Sequence, residues 1–138
     1  MRGQILYGKW VSLLASIFLE HSIKSLDNYA FYDLNNLTSL AIDGHTLNYI
    51  PSHAFDFRQF SNNTLTLYLD HNNLNGSSFG SGAFSNAKRP LSINLRSNKI
   101  DYINENVFRP FFSLNVNNKI YIENTNNKYF HRIKFTEI

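Results

Sequence analysis

Apolar positions recur along this chain as one short phrase, and residues 65–84, LTLYLDHNNLNGSSFGSGAF, show it best. Leu67 and Leu69 flank Tyr68, so both point to one face of a short strand. Asn72 falls where the chain must turn. Its amide both donates and accepts, so it can satisfy backbone groups of neighbouring coils that would otherwise be buried without partners. Leu74 then points back to the apolar face. The phrase returns as Ile93, Leu95, Asn98 and Ile100, and as Leu40, Ile42, His45 and Leu47. Ser16, Phe18, His21 and Ile23 fit it once more. In three of these repeats a second apolar residue (Leu26, Ile50, Ile103) precedes a phenylalanine by five positions (Phe31, Phe55, Phe108). In the long third repeat Phe79 and Phe84 keep the same offset.

Phe18 to Ile42 spans 24 residues, Ile42 to Leu69 27, and Leu69 to Leu95 26. A phrase of this form at this period is the signature of a leucine-rich repeat. It predicts an α/β-type right-handed superhelix, a solenoid of about four rungs with a fifth at the end. Short parallel strands line its concave side, and irregular or 3-10 segments its convex side. Residues 1–122 are assigned to the solenoid, with 1–11 expected to be poorly ordered, and 123–138 to a tail without repeat pattern. Ile120 and Ile122 alternate as a fifth, edge strand should, and the apolar residues of the tail are placed to cover that edge. Pro51 after Ile50 suits an extended return, and Pro90 opens the fourth strand, where a missing donor is tolerated. The segment 75–82 reads as a flexible bulge and 61–64 as a loop.

The start of the chain has two readings. Arg2 and Lys9 precede the apolar run 11–19, as in a secretory leader. The same run falls on the first rung, a register that a leader has no reason to keep. The rung is the preferred assignment, and an uncapped first rung then implies a missing upstream part. Nine apolar-leaning residues are too few to span a bilayer.

Composition narrows the function. The net charge is +3, and the basic residues are scattered rather than gathered on one face, which disfavours nucleic acid. No cysteine is present, so neither disulfides nor thiolate chemistry arise. That pulls against an extracellular address, where such domains are usually stapled. Asparagine is abundant, as suits many turns.

Strand positions facing away from the core form columns across the rungs. One runs Ile17, Ala41, Tyr68, Asn94; a second runs Leu19, Asp43, Asp70, Arg96; a third runs Glu20, Gly44, His71, Ser97. Tyr68, Asp70, His71, Asn94 and Arg96, with Asp43 beside them, make a polar and aromatic patch, weighed evenly against an ordinary solvated face. His21 and His45 share the position of Asn72 and Asn98, so a structural ladder accounts for all four. A metal would need a third ligand, and no metal or other cofactor is expected. Asp70, His71 and Ser97 do not form a catalytic triad: adjacent residues on a flat strand point in different directions, and no nucleophile turn is present. Three sequons, at Asn36, Asn62 and Asn75, would suit a glycoprotein, but chance produces such triplets in an asparagine-rich chain.

The segments 36–55 (NLTSLAIDGHTLNYIPSHAF), 65–84 and 93–111 (INLRSNKIDYINENVFRPF) carry a more specific likeness. Together they resemble the secreted leucine-rich-repeat proteins of arthropods related to the non-catalytic subunit of a shrimp (Oplophorus) luciferase. The resemblance covers roughly residues 12–122 and ends there, because the Asn-Pro and cysteine-rich cap usual in those proteins is missing. It implies an extracellular, non-catalytic scaffold that binds a protein partner through the concave face. The alternative is a structural fragment, a terminal piece of a larger repeat protein without activity of its own.

Overall fold

The computed structural model describes residues 14–20, 22–115 and 117–122. Five short strands form one parallel sheet in chain order: β1 (Ser16–Leu19), β2 (Ser39–Ile42), β3 (Leu65–Tyr68), β4 (Leu91–Asn94) and β5 (Lys119–Tyr121). Consecutive parallel strands lying side by side require every connection to return over the same face, which is a right-handed solenoid. Along the strands, Leu40, Ile42, Leu65, Leu67, Leu91 and Ile93 face inward and are buried. Leu69 and Leu95, just beyond β3 and β4, continue the same row, and the residues between them face the concave side.

The register corrects the first rung by one residue. Ile17 pairs with Leu40, and Leu19 with Ile42, so the inward pair is Ile17 and Leu19. Ser16 and Phe18 face out, and Phe18 is 58% exposed. Three of the four β1 residues are apolar, so alternation alone cannot fix its phase. A one-residue slip exchanges the two faces of a strand, and pairing with β2 decides between them.

Behind the sheet runs a column of phenylalanines. Phe31 stacks on Phe55 at 5.5 Å between ring centroids, Phe55 on Phe84 at 5.7 Å, and Phe84 on Phe108 at 6.0 Å. The five-residue offset therefore builds a continuous aromatic spine, each ring buried. In the second and third repeats the convex side is made of turns. The fourth departs from the expected irregular form, because the cluster around Val107 and Phe108 is an α-helix, α1 (Glu105–Leu114). Asn104 caps it, its side chain accepting from the Asn106 N–H, and Val107, Phe108 and Phe111 fill its buried face. Pro110 lies inside α1 and removes the donor that would reach the Asn106 carbonyl. Asn106 is exposed, so water can take that place.

The segment 75–82 is tied down rather than open. Phe79 is buried, the Asn75 N–H donates to the Ser78 hydroxyl at 2.8 Å, and the Gly80 N–H reaches the Ile50 carbonyl at 2.8 Å. Gly80 is required there, since a Cβ would sit 2.5 Å from the Ser52 nitrogen. The assignments of 1–11 and of the tail 123–138 lie outside the described residues. Among those described, no helix is long and apolar enough to cross a membrane.

Candidate functional site

The turn after each strand shows how the rungs are locked. Asn72 donates to the carbonyls of Ile42 (2.7 Å), Leu69 (3.2 Å) and Asp70 (3.2 Å) and accepts from the Leu47 N–H at 3.2 Å. Asn98 repeats the set one rung on, with Leu69, Leu95 and Arg96 as acceptors and the Leu74 N–H donating at 3.0 Å. Both side chains are buried.

His45 is not the third member of this ladder. In the third and fourth repeats the residue before the ladder asparagine, His71 or Ser97, has positive φ. In the second repeat the positive φ falls on His45 itself, and Gly44 at φ 146 absorbs the shift. His45 is thereby turned out to solvent, its ring edge-on to that of His71 at 6.1 Å. Beside it, the Thr46 hydroxyl donates to the Ile23 carbonyl of the preceding rung at 2.9 Å. His21 lies outside the described residues. Among those described, no three potential ligands gather for a metal.

Arg89 and Asn118 are further buried polar side chains that tie segments together. Arg89 reaches across rungs: Nε and Nη2 donate to the Asn63 carbonyl and Nη1 to that of Asn35, while its guanidinium lies 5.6 Å from the Phe57 ring centroid. Burial holds its pKa below the ordinary arginine value. Asn118 accepts from the Leu91 N–H at 2.8 Å and donates to the Phe111 carbonyl at 2.7 Å, joining β4 to the end of α1. Neither sits at a repeat position, so the phrase gave no signal for them.

On the concave face the corrected register changes the first column to Phe18, Ala41, Tyr68, Asn94 and Tyr121. Ser16, Ser39, Thr66, Ser92 and Lys119 form the column beside it. Beyond the strand ends, Glu20, Asp43, Asp70 and Arg96 follow the last inward residue of each rung. Tyr68 is 45% and Tyr121 40% exposed. Asp70 Oδ2 lies 2.9 Å from His71 Nδ1, and Asn94 Oδ1 accepts from the Arg96 N–H at 3.1 Å. Arg96 sits 5.2 Å above the Tyr121 ring. So Tyr68, Asp70, His71, Asn94, Arg96 and Asp43 do share one side of the solenoid. Phe18 and Tyr121 also belong there.

The face is uneven. Ala41 is the small residue in its column, and a depression of about 560 Å³ opens above it. Phe18 and Tyr68 stand on either side, and Asp43 and Asp70 line one end. Elsewhere, Asn36, Asn62 and Asn75 are exposed, with Asn75 Oδ1 accepting from the Ser77 hydroxyl at 2.7 Å.

Comparison with known families gives one match: the BspA type leucine rich repeat region, in six copies across residues 9–137. No curated protein and no solved structure matches the chain.

Proposed function

The chain belongs to the BspA-type leucine-rich-repeat family, and from that premise we propose that it is a scaffold whose concave face holds a protein partner. The class is typical of non-catalytic scaffolds, and the cysteine-free sequence offers no thiol nucleophile. One observation carries the reading: a single sheet face presents Phe18, Tyr68 and Tyr121 to solvent, with the half-buried Arg96 over the Tyr121 ring. Aromatic and arginine side chains supply much of the binding energy at protein interfaces. Parallel strands hold them in fixed order, so little ordering is needed on binding.

The likeness to secreted arthropod proteins supplies the rest of the reading, an extracellular protein with sugar on its exposed sequons. Both are proposals resting on that resemblance and on the exposure of Asn36, Asn62 and Asn75.

The test compares proteins captured by the wild-type chain with those captured by Tyr68→Ala combined with Arg96→Ala. A convex-side variant, Arg58→Ala, serves as control. Loss of the same partner in the concave variant alone is the expected result, with affinity falling by a factor of roughly ten to a hundred. Unchanged capture would overturn the concave-face reading.

A further inference from the structure

We propose that the depression over Ala41 is a subsite for an arginine side chain of the protein partner, a refinement that rests on the concave-face reading above. Adjacent strands lie about 4.8 Å apart, so Phe18 and Tyr68, two strands apart, stand roughly 10 Å from each other at the backbone. Ala41 between them leaves the space that a larger side chain would fill. The walls are aromatic, and Asp43 and Asp70 stand at one end. Among the described residues neither aspartate is paired with a lysine or arginine. Asp43 accepts from the Gly44 N–H at 2.7 Å, and Asp70 faces His71. Glu20 continues the same column. The chain as a whole carries a net charge of +3, yet this end of the concave face is acidic.

The same chemistry is filled once within the molecule, and its cation-on-ring half once more. On the convex side Arg58 lies 5.1 Å from the Tyr32 ring centroid and donates to Asp33 Oδ1 at 2.6 Å. At the far end of the concave column Arg96 covers Tyr121. Around Tyr68 the aromatic ring and the carboxylates are present, and among the described residues no guanidinium is over them. A planar guanidinium suits that arrangement better than an ammonium, because it stacks on a ring while its fork reaches a carboxylate.

The probe is N-acetyl-arginine methylamide, titrated into the isotope-labelled full chain and followed by backbone amide shifts. Its neutral isostere, N-acetyl-citrulline methylamide, is titrated in parallel. Saturable shifts centred on Phe18, Ala41 and Tyr68 are expected for the arginine probe alone, with a Kd on the order of 1 mM. Asp70→Asn and Asp43→Asn should each weaken it several-fold, and added salt should do the same. Glu105→Gln, on α1, should leave it unchanged. Equal shifts with the citrulline compound, shifts centred elsewhere, or affinity indifferent to both aspartates would overturn the subsite. Such a failure is separable from that of the wider reading, since the Tyr68→Ala, Arg96→Ala capture result does not depend on a cation.

Discussion

Asn98 makes four hydrogen bonds inside the solenoid, and a single truncation would strip a partner from backbone groups on two rungs. A buried polar group left without a partner costs about 1–3 kcal/mol, and neighbouring groups do not add fully. Asn98→Ala should therefore lower stability by about 2–4 kcal/mol in chemical denaturation. His45→Ala removes an exposed side chain and should change it by less than about 0.5 kcal/mol. Equal effects of the two would refute the placing of His45 outside the ladder. The sequence offered His45 because it counts residues, and only the backbone shows that Gly44 delays the left-handed turn by one position. Arg89 tells the same story from the other side. Its type suggests a solvated cation, but the fold closes over it because the Asn35 and Asn63 carbonyls accept its protons.

At the scale of elements, the phenylalanine spine is the part most legible in advance. An offset of five after an apolar residue recurs in every repeat, and the rings stack across rungs as that regularity requires. Phe84 touches Phe55, Phe79, Phe108 and Phe111, so it stands at the junction of the spine with α1. Phe84→Ala should cost about 3–5 kcal/mol, the range for losing a buried ring and leaving a cavity. Phe60→Ala, at a ring 83% exposed, should be nearly silent in the same denaturation experiment. Comparable losses from both would contradict a spine that carries the stability. The helix α1 was harder to foresee. Pro110 argues against a helix, whereas the cap at Asn104 and the apolar spacing of Val107, Phe108 and Phe111 argue for one. Packing against the spine outweighs the missing donor, which faces an exposed turn.

For the molecule as a whole, the address and the sugars are matters for direct measurement. Mass spectrometry of the native protein should find glycan at one or more of Asn36, Asn62 and Asn75, the outcome expected of an extracellular scaffold. Unmodified asparagine at all three would remove that support for the address. The sequence by itself determined the architecture. Strand alternation, the turn asparagines and the phenylalanine offset are local and periodic, and a solenoid only sums what each repeat does beside its neighbours. The tertiary structure alone decided the phase of β1, since three apolar residues in four fit either face until β2 pairs with them. That phase brings Phe18 out beside Ala41 and Tyr68, and with it the aromatic-walled depression. A concave site is assembled from residues more than twenty positions apart in the chain, so its shape depends on the register between rungs as well as on the pattern within any one.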